Sequence, residues 1–176
     1  MQSILIFATA SALAIGVASA QIPAQAQRGQ ALFEKSPKGV ACANCHKIKN
    51  IGTAVAPDLM PLAAAVGSHG LVKTIQMQST EYVQEVKTAD GKTFPGLQKE
   101  KKGDQVLIWN LGEIPPVLLT LESKNVTSMT RDTKWKHPPT SAGYTSQELA
   151  DIIGFLKWAA NGSKAEIKIS DVEDAK

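Results

Sequence analysis

Two cysteines three residues apart, followed at once by a histidine, constrain this chain more than any other feature: Cys42-Ala43-Asn44-Cys45-His46. They are its only cysteines, too few for a disulfide scaffold. A pair at this spacing serves three chemistries. A thiol–disulfide redox pair opens a helix after a strand in a βαβ unit. Here Lys38-Gly39-Val40-Ala41 precede the pair, after a predicted helix that carries Phe33 and ends at Pro37 and Gly39, and no βαβ pattern is seen. A zinc half-site needs two more ligands at comparable spacing, and there is no second cysteine pair. Two thiols at this spacing can instead each add to one vinyl group of a haem, and the following histidine is then delivered to the iron. The expectation is one covalently bound haem c, with Cys42 and Cys45 as thioether partners and His46 as an axial iron ligand.

Haem attachment of this kind happens outside the cytoplasm, and the N-terminus agrees. Met1 to Ala20 carries no charge, Ile4 to Val17 is continuously small and apolar, and Ala18-Ser19-Ala20 is a small-x-small cleavage site. Residues 1–20 read as a secretory signal peptide, although Met1-Gln2-Ser3 lacks the usual Lys or Arg. The apolar run is short for a spanning helix, which needs roughly 20 residues, and no later segment approaches that length. The chain is therefore expected to be exported, periplasmic or equivalent, and soluble, with no stable membrane span after cleavage.

Residues 21–27 form a polar leader. Arg28 to Asn50 reads as a helix and then a loop. Pro61 to about Gln78 is Ala-rich and helical, broken near Gly67 or Gly70. From Tyr82 the apolar period shortens to two, Asp90-Gly91 marks a hairpin turn, and three or four short strands are predicted up to Leu121. After the Pro-containing loop Thr130 to Gly143, Thr145 and Glu148 make a capping box. Leu149, Ile152, Ile153, Leu156 and Trp158 then line one face of a last helix. Residues 161–176 are a polar tail. Aromatic residues are only 5% of the chain, so the core must be aliphatic or be completed by something other than a side chain. Leu32, Phe33, Leu59, Ile152, Leu156 and Trp158 are the expected core around the haem or at the contact of first and last helices.

In order, Arg28-Gly29-Gln30-Ala31-Leu32-Phe33, the Cys-x-x-Cys-His motif, Ala56-Pro57-Asp58-Leu59 and a final amphipathic helix resemble the parts of class I cytochromes c. Gly29 and Phe33 match that family's glycine and aromatic on the first helix. Ala56 stands where its G-P-x-L segment has glycine. The resemblance covers about Arg28 to Leu156. Tyr82 to Met129 is similar to the β-rich insertion of bacterial haem-binding domains found alone or beside quinoprotein dehydrogenases. Ala89-Asp90-Gly91-Lys92, Gly96 and the Ser123 to Ser128 stretch carry that part. The resemblance implies a mainly α, cytochrome c-like domain over residues 28–160 around one haem, with a small antiparallel β insertion at about 82–121.

A low-spin carrier needs a second axial ligand, normally Met or His. After residue 20 the chain offers Met60, Met77, Met129, His69 and His137. In the resembled family this ligand is a Met in the loop before the last helix. That place is held here by His137, within Trp135-Lys136-His137-Pro138-Pro139, eight positions before Thr145. His137 is the favoured ligand and Met129 the alternative. Met60 and Met77 fit core positions, and His69 fits a surface turn.

Charge excludes one broad class. Net charge is +3, from 19 basic and 16 acidic residues, and the run Lys99, Lys101, Lys102 is interrupted by Glu100, so no clustered basic face for nucleic acid is expected. One haem without an acid–base constellation points to an electron carrier and not an enzyme, with no catalytic side chain. Its partners would be redox proteins such as a periplasmic dehydrogenase, another cytochrome or a terminal oxidase. Lys47, Lys49, Lys101 and Lys102 are candidates for steering an acidic one. The alternative is a haem enzyme or a gas- or peroxide-binding sensor, which requires an open sixth iron position.

Overall fold

The computed structural model describes residues 21–77, 80–138 and 143–174; the signal peptide expectation lies outside them. The order of elements is α1 (Ala24–Glu34), a 3₁₀ turn (Cys42–Asn44), β1 (Lys47–Ile48), β2 (Ile51–Gly52), α2 (Leu59–Ala65) and α3 (Ser68–Ile75). There follow β3 (Gln84–Thr88), β4 (Thr93–Lys102), β5 (Gln105–Asn110), β6 (Val117–Glu122), a second 3₁₀ turn (Ser123–Asn125), β7 (Val126–Arg131), α4 (Ser146–Asn161) and α5 (Ile169–Glu173).

The first and last long helices make the main packing contact. A Cβ on Gly29 would lie 1.9 Å from the Asp151 carbonyl oxygen, so only glycine lets α1 approach α4 this closely. Beside that crossing, Arg28 Nε and Nη2 donate to the two carboxylate oxygens of Asp151 at 2.8 Å each, a fork-on-fork pair. One turn on, the rings of Phe33 and Phe155 pack at 5.4 Å. Around them lie Leu71, Val72, Leu149, Ile152, Ile153 and Leu156, all buried. α4 starts where the sequence places it. Thr145 Oγ1 accepts from Glu148 N and Glu148 Oε2 accepts from Thr145 N, which satisfies two amides that a helix start leaves open.

The two ends of the chain pack onto this core. α1 begins inside the stretch read as a leader, with Gln25 and Ala26 buried. Gln25 Nε2 donates to Ile167 O, and Gln25 Oε1 accepts from Ile167 N, both at 2.8 Å. The stretch read as a polar tail buries Ile167 and Val172 and forms α5.

The expectation of a mainly α fold with a small β insertion is overturned. β3 to β7 form one five-stranded antiparallel sheet, in the order β6-β5-β4-β3-β7, and it runs past Leu121 to Arg131. Val86, Val106 and Ile108 are buried in a cluster completed by Phe94, Leu121, Val126 and Met129. Every member belongs to the sheet itself, so the sheet curls over its own small core. The sequence reading underweighted it because the second half of β4, Gln98 to Lys102, is solvent-exposed. A strand without a buried face shows no apolar alternation; backbone pairing with β5 carries it.

Candidate haem site

The Cys-x-x-Cys-His segment is folded by its own backbone. Cys45 N and His46 N both donate to Cys42 O, at 3.1 and 2.8 Å. The β1–β2 hairpin then wraps back, with Thr53 N donating to Ala43 O and Val55 N and Ala56 N to Cys45 O. Gly52 sits at φ +82°, and a Cβ there would meet His46 O at 2.1 Å, so this hairpin closes on the motif only with glycine. Asp58 caps α2 by accepting from Met60 N at 2.8 Å, which fixes the Ala56-Pro57-Asp58-Leu59 segment opposite the motif.

That segment orients the histidine. His46 Nδ1 lies 2.9 Å from Pro57 O, so the bond requires the proton on Nδ1 and leaves Nε2 as a free lone-pair donor. His137 has the same kind of support: its ring is hydrogen-bonded to the backbone of Ile75. Burial lowers the pKa of both rings; for His137 the neighbouring His46 adds to the effect, while the backbone bonds to Pro57 and Ile75 oppose it. Both imidazoles are thus favoured in the neutral form that binds metals.

The two rings face one space, with centres 6.0 Å apart. A metal held by two imidazoles on opposite sides sits about 2 Å from each nitrogen, and each nitrogen lies roughly 1 Å from its ring centre, which puts the centres roughly 6 Å apart. Two cavities open from the gap between them. The larger, about 310 Å³, is walled by Phe33, Leu59, Leu62, Leu71, Ile152 and Leu156. The smaller, about 40 Å³, reaches the sheet at Val83, Leu97 and Leu111 and includes Cys45. Cys42, His46, Thr80, Tyr82 and His137 border both. A flat apolar group passing between the imidazoles would fill both cavities with the thiols at its edge. Thr80 Oγ1 is buried with no hydrogen-bond partner, an orphan that a carboxylate of such a group would satisfy. These residues fit a haem.

The two thiols are free. Burial raises the pKa of both, Cys42 to about 11, unlike the depressed values of reactive pairs. Among the described residues no group of three or more His, Cys, Asp or Glu side chains gathers to hold a metal by itself. The two histidines on opposite sides of a gap suit a metal whose remaining donors come from its own ligand ring.

Other candidates are dispersed. Met129 lies on β7, opposite Val86 in the sheet core, and does not border either cavity. Met60 packs against the helical core, Met77 borders the larger cavity, and His69 is exposed on α3. Phe33, Leu59, Ile152 and Leu156 line the larger cavity as expected, while Leu32 and Trp158 pack beside it. Of the lysines, Lys47 and Lys49 flank the motif's hairpin, with Lys49 Nζ 4.4 Å over the Trp158 ring. Lys101 and Lys102 belong to the exposed half of β4, and Lys102 pairs with Glu100. Pro139 lies outside the described residues. Sequence reasoning missed the wall formed by Leu97 on β4 with Val83 and Leu111 at the ends of β3 and β5, because nothing in the local pattern says what a strand or its end packs against. It also missed the Ile75 backbone as a support for His137, since a carbonyl leaves no sequence signal. No helix among the described residues is long and apolar enough to cross a membrane. No protein-family model matches the chain, and no curated protein matches it.

Proposed function

We propose that this chain is an exported monohaem c-type cytochrome that carries single electrons between redox proteins. Cys42 and Cys45 would hold the haem as thioethers, and His46 and His137 would bind its iron. The haem supplies the one-electron iron couple. The protein's part is to fix two neutral imidazoles 6.0 Å apart and to keep water out with apolar walls from the helices and the sheet. That pair of rings, each supported by a backbone neighbour and meeting across a crevice beside the two thiols, is the observation that carries the reading. Two strong imidazole donors favour the ferric state, so the potential lies below that of a Met/His carrier. With His46 and His137 both bound to the iron, no place would be left on it for a substrate, which favours a carrier over an enzyme or gas sensor.

Absorption spectroscopy on wild type, His137→Ala and Met129→Ala tests this. Wild type and Met129→Ala are expected to be low-spin in both oxidation states, without the weak far-red sulfur-to-iron band. His137→Ala is expected to turn high-spin and bind carbon monoxide readily. A far-red band that is lost in Met129→Ala overturns the His137 assignment. A high-spin wild type overturns the carrier reading in favour of an open-site haem protein.

A further inference from the structure

The loop that delivers His137 is not held by its own length or by the prolines alone. It leaves β7 at Arg131, and the next residue, Asp132, ties it at both ends. Asp132 N donates to Val83 O at 2.9 Å, which continues the β3–β7 pairing by one step beyond Gln84 and Arg131. Val83 is itself a wall of the smaller cavity. The Asp132 carboxylate oxygen Oδ1 accepts from Lys134 N and Trp135 N, both at 2.9 Å. This is a side-chain-capped turn, the geometry Asp favours because its short carboxylate reaches amides two and three residues on. The turn aims Trp135 into the smaller cavity, with its ring 6.3 Å from that of His137.

We propose that Asp132 is the positioning residue for the distal axial ligand: its carboxylate sets the turn that holds His137 at the iron, and so makes the sheet a working part of the redox centre. The inference rests on the His137 assignment above. No bond to the iron is made by Asp132; it acts through the loop. Removing its acceptor frees two amides and loosens a ligand that the Ile75 backbone also supports. Groups hydrogen-bonded directly to a metal's ligand are worth about 10- to 100-fold in affinity or activity when removed; Asp132, one step further out, belongs at the lower end of that range.

The test is made on the full haem-loaded protein. Asp132→Ala is expected to show a mixed high-spin ferric spectrum, about a tenfold gain in ferrous carbon monoxide affinity and a raised midpoint potential. Asp132→Asn keeps an acceptor oxygen in the same place and is expected to restore all three. Asp132→Glu keeps the charge but moves the oxygens by one methylene; it is expected to behave like the alanine variant, and serves in its place should alanine fail to fold. If Asp132→Ala or Asp132→Glu is spectrally and potentiometrically wild type while His137→Ala is high-spin, the positioning role is overturned and the ligand assignment stands. If His137→Ala itself stays low-spin, the ligand assignment is overturned and this inference with it.

Discussion

Gly29 carries more of the architecture than its size suggests. Its hydrogen lies where any Cβ would be 1.9 Å from Asp151 O and 2.8 Å from Phe155 Cβ. The obstructing atoms are backbone and the root of a packed side chain, so no rotamer change relieves them. Gly29→Ala must therefore push α1 off α4, which also stretches the Arg28–Asp151 pair and the Phe33–Phe155 contact. Overpacking of a well-filled site costs typically 1–3 kcal/mol and at times more; this position belongs at the upper end, about 3 kcal/mol. Denaturant melts of the haem-loaded protein measure it. A loss below about 1 kcal/mol, where tolerated overpacking lies, would mean that the helices part easily and the crossing is not close-packed. The sequence resemblance marks Gly29 by position, but the reason for glycine is a backbone 122 residues away and is legible only in three dimensions.

At the scale of elements, what could be read depended on whether a local rule carried the information. The start of α4 obeys such a rule: Thr145 and Glu148 satisfy each other's backbone amides three residues apart. Thr145→Ala removes one of these and should lower stability by about 1 kcal/mol, read from the shift of the melting midpoint. Glu148 adds a pH dependence. The Thr145 amide, and then the Thr145 side chain and Lys38, hold its carboxyl below the ordinary range. Its folded pKa is below its unfolded one, so its contribution is present above about pH 4.3 and is lost as pH falls through the lowered folded value. The stability gap between wild type and Glu148→Gln should therefore close on acidification from pH 6 towards pH 3, and a constant gap would show the carboxylate charge is idle. Where no local rule operates, elements were hidden. β7 has apolar residues only at Val126 and Met129, and it forms because β3 pairs with it. α5 is five residues long, too short to propagate by itself; it exists because Val172 is buried and Gln25 fixes Ile167. The Cys-x-x-Cys-His motif was legible because the thioether chemistry proposed for it demands a fixed spacing, while the Val83–Leu97–Leu111 wall was not, because it depends on how a sheet sits against a site.

Taken whole, the described residues form two side-chain cores and a gap. One core lies among the helices, the other inside the curled sheet, and between them are the cavities bordered by both histidines. Phe33, Leu59, Leu71, Ile152 and Leu156 face that gap from the helices, and Val83, Leu97 and Leu111 from the sheet. Each such side chain contributes roughly 1.5–3 kcal/mol only when its apolar surface is removed from water. Phe33, Leu71, Ile152, Leu156 and Val83 are already buried by protein, so what a group in the gap would add is cover for the half-buried Leu59, Leu97 and Leu111, which counts against a domain stability of about 5–15 kcal/mol. If His46 and His137 hold an iron as proposed, they would lose their partner as well. On the proposed reading, thioethers would also restrict the unfolded chain as a cross-link does, so haem attachment would act on both ends of the folding equilibrium. Cys42→Ala combined with Cys45→Ala is accordingly expected to give a chain without a cooperative thermal transition and with reduced helix content, followed by far-ultraviolet circular dichroism. The sheet, which owns its core, is expected to keep more of its structure than the helices, visible as slower amide hydrogen exchange in residues 84–131 than in α1 and α4. A double variant that melts cooperatively with native helix content would show that side chains alone close the gap, and the haem would then be cargo in a finished fold and not the piece that joins its halves.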